Sequence, residues 1–160
     1  TGKITVARVL QERLLWRLFW LHDLDALSRI VGRFPLPRLM DTISILVLDE
    51  MMRDGQDLIY VRPSRDRETV AGVVALAESR GYRPYLVRLW AQHSTMLDRV
   101  KQREKSEFRV SSSEELTTYL KSTPPTSCNF RGQYLLNTDT RTVEHVADDI
   151  MGFIGEENQW

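Results

Sequence analysis

Short, mostly apolar runs alternate with amphipathic segments along most of this 160-residue chain. The runs at 17–21, 57–61, 85–90 and 134–136 predict strands, and a polar segment follows each of them. Between the runs, apolar side chains recur three and four residues apart, which is the spacing of a helix with one buried face. Parallel strands need crossover connections that helices supply. The alternation therefore predicts an α/β fold, a three-layer αβα sandwich with a mostly parallel sheet.

The helix predictions rest on this spacing together with end signals. They cover 6–16, a segment starting near Ala26, 39–53, 67–80, a helix capped by Ser94, a short helix from a Ser112–Glu115 capping box to Leu120, and 143–154. Asp54-Gly55 and Gly81 predict helix ends, because glycine adopts the left-handed conformation that closes a helix. At 160 residues the chain is long enough for one compact domain and too short for two ordinary ones, so we expect one domain over 1–160.

Composition narrows the classes of function. The 22 basic and 22 acidic residues cancel, so no global field draws the chain to nucleic acid or to an anionic membrane. The single cysteine, Cys128, cannot form an internal disulfide, which favours a reducing compartment. No apolar run approaches the roughly 20 residues that a membrane span needs. We therefore expect a cytoplasmic protein without a membrane partner.

Gly2-Lys3, at the start of a predicted helix, matches the end of the phosphate-loop pattern G-x-x-x-x-G-K-[ST]. Backbone N–H groups at such a helix start hold phosphate oxygens, and the lysine neutralises their charge. The next residue, Ile4, has no hydroxyl for Mg²⁺, and Thr5 lies about 100° further round the helix. The alternative reading is an accidental Gly-Lys pair.

Arginines cluster near two predicted strand ends, where ligands of parallel sheets bind. Arg99 and Arg103 lie four residues apart on one helix face, next to a polar segment. They either contact an anion or form a solvated face with neighbouring carboxylates. A second set, Arg62, Arg65 and Arg67, follows the strand at 57–61. This set either holds an anionic substrate or forms a charged turn.

Five segments together resemble the adenylate-kinase-like group of P-loop kinases. They are Thr1-Gly2-Lys3, His22-Asp23-Leu24-Asp25, Leu97-Asp98-Arg99 with Arg103, Leu136-Asn137-Thr138-Asp139-Thr140, and Val143-Glu144. Within that group the chain is most similar to small-molecule kinases related to shikimate and gluconate kinases, and to zeta-toxin and chloramphenicol-phosphotransferase-like enzymes. The resemblance spans nearly the whole chain. It implies a P-loop nucleoside triphosphate hydrolase-like fold with a small helical lid at about 104–122.

The resemblance also implies roles for particular residues. The nucleotide site comprises Gly2, Lys3, Ile4, Thr5, Arg99, Thr138 and Thr140. The catalytic set is Asp23 as base, with Lys3, Arg99 and Arg103; the acceptor site comprises Asp25, Arg62, Arg65 and Arg109; and Thr5 and Asp23 serve Mg²⁺. The alternative is that one of the two aspartates, Asp25 before Asp23, only caps the next helix. Such folds place a central strand before the phosphate loop, so we expect residues upstream of Thr1, or another segment, to fill that position.

These inferences predict an ATP- and Mg²⁺-dependent phosphotransferase that moves the γ-phosphoryl group to a hydroxyl of a metabolite, a nucleoside or nucleotide, or an antibiotic. A first alternative is a kinase-fold protein that binds nucleotide weakly and has a regulatory role, which Ile4 favours. A second alternative is a polynucleotide 5′-hydroxyl kinase. The zero net charge disfavours this second alternative, although a local groove of arginines could serve it. The sequence predicts no oligomeric state.

Overall fold

Strands and helices alternate in the computed structural model, which describes residues 2–20, 37–62, 67–102, 113–122 and 132–157. The chain divides into two compact units. One unit is Ile4–Pro84, and the other is Tyr85–Trp160 together with the first three residues. Within the described ranges, no helix is long and apolar enough to cross a membrane.

The unit Ile4–Pro84 is built on one parallel strand pair. Its elements are α1 (Lys3–Leu14, which begins one residue before the unit), β1 (Arg17–Trp20), α2 (Pro37–Arg53), β2 (Leu58–Val61) and α3 (Arg67–Ser79). The register runs from Arg17 opposite Leu58 to Trp20 opposite Val61. Proline at the first position of α2 costs the helix nothing, because that N–H would have no partner in the helix. The predicted parallel pairing is confirmed for these two strands.

The core of this unit joins the strand pair to two helices. Phe19, Leu48, Met52 and Ala77 are buried. Packed against them are Ile43, Val47, Met51, Leu58, Tyr60, Val73, Leu76 and Tyr82. The rings of Phe19 and Tyr60, which are register partners, stack with centroids 5.4 Å apart. Burial of α2 and α3 against the strands follows from their apolar residues recurring at helical spacing.

Glycine ends α3 as the sequence predicts. Gly81 has φ of 79° and donates its N–H to Glu78 O at 3.0 Å, while the N–H of Tyr82 bonds to Ala77 O at 2.9 Å. These two bonds are those of a Schellman motif. Gly55, with φ of 69°, closes α2 in a related way through a bond to Met52 O.

The unit that contains Tyr85–Trp160 also holds a parallel pair. Its elements are β3 (Val87–Trp90), α4 (His93–Lys101), α5 (Ser113–Ser122), β4 (Tyr134–Asn137) and α6 (Val143–Glu157). Val87 lies opposite Tyr134, and Trp90 lies opposite Asn137. The apolar stripe of α6 is buried, with Val146 1% and Ala147 0% exposed.

Aromatic contacts fix α6 next to β4. Phe153 stacks on Tyr134 with ring centroids 4.6 Å apart, and it meets Tyr85 edge to face at 6.0 Å. On the strands themselves, Trp90 and Leu135 are exposed at 42% and 52%. Leu136 is buried, at 3% exposed, and the other residues of these two strands are half-buried.

Several predicted boundaries need correction. Ser94 is not the cap of α4: the helix begins at His93 after Gln92, whose carbonyl accepts the N–H of Met96 at 3.0 Å. The first helix ends at Leu14 instead of Trp16, because Leu15 adopts φ of 57°. The predicted helix near Ala26, the Ser112 cap and the first part of the lid, 104–112, lie outside the described residues.

Smaller shifts affect the ends of other elements as well. The third strand starts at Val87 instead of 85, the fourth extends to Asn137, α2 starts two residues earlier than predicted, and α6 continues to Glu157. Shifts of one to three residues at element ends are normal, since terminal turns depend on tertiary contacts.

Candidate functional site

The structure describes eight of the predicted site residues. Gly2, Lys3, Arg99, Thr138 and Thr140 belong to the unit that contains Tyr85–Trp160, whereas Ile4, Thr5 and Arg62 belong to Ile4–Pro84. Asp23, Asp25, Arg65, Arg103 and Arg109 lie outside the described residues. The predicted nucleotide residues therefore fall mainly in one unit.

The start of α1 has the features of an anion-binding helix terminus. Gly2 has φ of 68°, a conformation that favours glycine, and a Cβ added there would meet nothing within 4 Å. The first turn of α1 contains no acidic residue, so no carboxylate of that turn competes with an anion. Lys3 and Ile4 are half-buried, and Thr5 is exposed. The backbone N–H groups at this end fit phosphate oxygens.

A magnesium site is not assembled from protein carboxylates alone in the described part of the chain. Within it, no group of three or more His, Cys, Asp or Glu side chains could hold a metal ion. Of the two predicted metal residues, Thr5 supplies a hydroxyl on α1, and Asp23 lies outside the described residues.

Arg99 and Thr138, both predicted for the nucleotide site, are in direct contact. Arg99 Nη1 donates to Thr138 Oγ1 at 3.0 Å, and Nη2 donates to the Thr138 carbonyl at 2.5 Å. The Thr138 hydroxyl donates in turn to the carbonyl of Trp90 at 3.1 Å. Thr138 is 3% exposed. The guanidinium of Arg99 therefore ties α4 to the carboxyl end of β4.

A second bridge lies one residue further along. The backbone N–H of Gln92 donates to Asp139 Oδ1 at 2.8 Å, and the N–H of Asp139 donates to Asn137 Oδ1 at 2.8 Å. Desolvation would raise the pKa of the Asp139 carboxyl, but hydrogen bonds from Thr95, Gln92 and Asn137 and the charge of Arg99 outweigh it and lower that pKa. Asp139 thus binds the segment before α4 as an ionised carboxylate.

Arg62, predicted to bind the acceptor, is held by an acidic side chain of α2. Its Nη2 lies 3.2 Å from Asp41 Oδ1. The Arg62 side chain is 9% exposed, whereas that of Asp41 is 31% exposed. Because Arg62 directly follows β2, the pair lies at the carboxyl end of that strand, where ligands bind in parallel sheets.

Two hydroxyls extend this pair into the interior. Ser44, fully buried, donates to the Asp41 carbonyl at 2.8 Å and accepts the hydroxyl of Tyr60 at 3.3 Å. Burial raises the pKa of Tyr60 despite the hydrogen bond to Ser44 and the nearby charge of Arg62. The phenol therefore stays protonated as a donor. Asp41, Ser44, Tyr60 and Arg62 are called the α2–β2 polar cluster below.

Sequence reasoning missed Asp41, Ser44 and Tyr60. Asp41 and Ser44 lie three apart on α2, a spacing that places them on one helix face. The only sequence signal was a serine within the apolar stripe of a predicted helix, since a fully buried hydroxyl needs a partner. The contacts with Tyr60 and Arg62 depend on the fold and have no signature in the sequence.

No protein-family model matches the chain, and no curated protein matches it. Among solved structures, a gluconokinase from Sinorhizobium meliloti 1021 is similar over 99% of this chain and 89% of its own length. The TM-score is 0.71 and the sequence identity is 13%. At this identity the likeness shows the fold alone, and the chain has a gluconokinase-like fold.

Proposed function

We propose that the protein is an ATP-dependent phosphotransferase that moves the γ-phosphoryl group to a hydroxyl of a small molecule. The observation that carries the proposal is the start of α1 in a gluconokinase-like fold: Gly2 at positive φ, then Lys3, with no acidic residue in the first turn. This arrangement suits a polyphosphate.

Each predicted residue then has a task. Lys3 neutralises the β and γ phosphates at the N-terminus of α1, with Gly2, Ile4 and Thr5 contributing backbone N–H groups or a hydroxyl. Asp23 orients and deprotonates the acceptor hydroxyl, and Asp25 binds acceptor or metal. Arg99 and Arg103 stabilise charge on the transferring phosphate, and Arg99 in addition holds Thr138.

Thr5 and Asp23 would hold Mg²⁺, which would supply neutralisation of the charge on the transferring phosphate. The protein's own contribution is alignment, because phosphoryl transfer needs the acceptor oxygen placed in line with the leaving oxygen. Thr138 and Thr140 belong to the segment that follows β4. Arg99 holds this segment at Thr138, and Asp139 joins it to Gln92. That segment is the proposed contact for the nucleotide base.

The first experiment measures ADP formation from ATP and Mg²⁺ with a panel of hydroxyl compounds that includes gluconate, sugars, nucleosides and aminocyclitols. Lys3→Met should lower kcat/KM by about 100-fold, as loss of one group that stabilises the transition state does. Lys101→Met, an exposed lysine at the end of α4, is the matched control and should leave turnover unchanged. Equal activity of Lys3→Met and wild type would contradict the assignment.

The variant Asp23→Asn distinguishes a loss of phosphoryl transfer from a loss of ATP binding. We expect this variant to lose phosphoryl transfer and to keep ATP affinity, because the amide cannot accept the acceptor proton. Calorimetric titration with ATP checks the affinity, and the coupled assay checks the transfer. Unchanged turnover would remove Asp23 from the role of base.

A second candidate is a kinase-fold protein that binds nucleotide and has lost transfer. It is favoured by Ile4 after the lysine and by the engagement of Arg99 and Arg62 with Thr138 and Asp41. ATP titration with and without Mg²⁺, together with the acceptor panel, distinguishes the two. Nucleotide binding without turnover on any acceptor would favour this second function.

A further inference from the structure

The α2–β2 polar cluster presents a carboxylate, not a guanidinium, to its surroundings. Of the ion pair, Arg62 is 9% exposed and Asp41 is 31% exposed. Within the cluster, a ligand therefore meets mainly the oxygens of Asp41. A carboxylate accepts hydrogen bonds from O–H or N–H groups and repels another anion.

The charge of Arg62 is already compensated inside the protein. Its Nη2 lies 3.2 Å from Asp41 Oδ1, and the hydroxyls of Ser44 and Tyr60 complete the cluster without adding charge. Burial keeps the Tyr60 phenol protonated, as its raised pKa indicates. The pair as a whole is therefore neutral. An anionic group placed beside it would gain little from Arg62 and would meet the charge of Asp41.

The cluster is also well supported. Ser44 is fully buried and its hydroxyl donates to the Asp41 carbonyl at 2.8 Å, which fixes the backbone of α2 at that turn. Tyr60 is stacked on Phe19 in the core, with ring planes 15° apart. A contact residue held in this way loses little entropy when a ligand binds.

We propose that Asp41 is a substrate-contact residue that accepts hydrogen bonds from the hydroxyl groups of an uncharged polyhydroxyl acceptor, with Arg62 as its internal counter-ion. This inference rests on the proposed phosphotransferase function and specifies the acceptor class. It assigns to Arg62 a positioning role in place of anion capture. The acceptor is then a sugar, polyol or nucleoside-like compound that has no carboxylate or phosphate at this end.

The test compares pairs of acceptors that differ at one terminal carbon, a neutral hydroxymethyl group in sorbitol or ribitol and a charged carboxylate in gluconate or ribonate. In wild type, kcat/KM with ATP should be at least about 10-fold higher for the neutral member of the preferred pair, the effect of one charged hydrogen bond. Asp41→Asn leaves the charge of Arg62 uncompensated. It should shift the neutral-to-anionic ratio toward the anion by about 10-fold or more.

Asp49→Asn is the matched control, because it removes another aspartate of α2 whose arginine partners, Arg53 and Arg80, lie outside the cluster. Its ratio should equal that of wild type. A wild-type preference for gluconate or ribonate would overturn the proposal, and so would an unchanged ratio in Asp41→Asn. If Asp41→Asn does not fold, the double variant Asp41→Leu, Arg62→Met replaces it and must lose about 10-fold in affinity for the neutral member.

Failure of the proposed function can be told apart from failure of this inference. If ATP is not turned over with any acceptor, the same pairs are titrated by calorimetry without nucleotide. A preference for the neutral member that Asp41→Asn reverses then supports the acceptor class although transfer is absent. Equal or absent binding of both members overturns the inference.

Discussion

Arg99 holds Thr138 by two hydrogen bonds, one to the hydroxyl at 3.0 Å and one to the carbonyl at 2.5 Å. The two residues lie on different elements, α4 and the segment that follows β4. Thr138 also contacts the end of β3, because its backbone N–H donates to Trp90 O at 2.9 Å. One guanidinium thus connects a helix to the carboxyl ends of two parallel strands.

This contact predicts strong coupling between the two residues. Arg99→Lys keeps the charge but loses the planar fork, and Thr138→Val keeps the shape but loses the hydroxyl. Urea unfolding of both single variants and the double variant should give a coupling free energy of about 1 to 2 kcal/mol. Lys101→Ala, exposed on the same helix, should change the free energy of unfolding by less than about 0.5 kcal/mol. Additive single effects would show that the contact contributes nothing.

Asp49 predicts a pH dependence of stability. Arg80 donates to both of its carboxylate oxygens, at 2.7 and 3.0 Å, and this hydrogen bonding lowers the pKa of Asp49 below its ordinary value of 3.8. The stabilisation is therefore fully present above pH 3.8 and is lost as the pH falls through the folded-state pKa.

Urea midpoints of wild type and Asp49→Asn, measured across this acidic range, check the prediction. The difference between the two proteins should be constant near neutral pH and should shrink below pH 3.8. Glu50→Gln, whose side chain is 73% exposed, is the control. A difference that grows with falling pH would contradict the sign derived from the lowered pKa.

Leu15 predicts a stabilising substitution. It is 88% exposed and has φ of 57°, a conformation that costs an L-residue roughly 1 to 2 kcal/mol. Leu15→Gly removes this strain and loses no buried surface, although the more flexible unfolded chain offsets part of the gain. We expect a net increase of up to about 1 kcal/mol in the free energy of unfolding. Leu15→Ala keeps the strained φ and should have little effect.

The hydrogen bonds of the Tyr82 hydroxyl predict that removing this group lowers the free energy of unfolding. Its Oη lies 3.0 Å from Met52 O and 3.1 Å from Gln56 O, so the phenol satisfies carbonyls at and beyond the end of α2. Tyr82→Phe keeps the ring in the core and should lower the free energy of unfolding by about 1 kcal/mol. Tyr134→Phe, whose ring stacks on Phe153, is the comparison variant. Equal midpoints for Tyr82→Phe and wild type would refute the capping role.

Structural features that depend only on neighbouring residues could be predicted from the sequence. Gly81 ends α3 because only its own conformation and the preceding turn decide the Schellman bonds. Ser94 shows where prediction from neighbouring residues alone fails. The helix there begins earlier because Asp139, far along the chain, receives the N–H of Gln92, and no local pattern signals that contact. Serine is a common helix cap, but the prediction considered only neighbouring residues and not the contact with Asp139.

The candidate site shows the same division. Gly2-Lys3 at a helix start could be read from the sequence, and the structure places a positive φ at Gly2. The pairing of Arg62 with Asp41 could not be predicted, because it depends on how α2 packs beside β2. A charged residue after a strand carries the same signature whether it meets a ligand or an internal counter-ion.

Parallel pairing delays the folding of each strand pair. Arg17 pairs with Leu58 and Val87 with Tyr134, so each pair closes a loop of roughly forty to fifty residues before its ladder can form. Ribosomes add about 5 to 20 residues per second. On a nascent chain, β1 with its apolar Leu18 and Phe19 therefore waits roughly 2 to 8 s for its partner. During that interval β1 is an unpaired apolar segment that chaperones can bind and that can start aggregation.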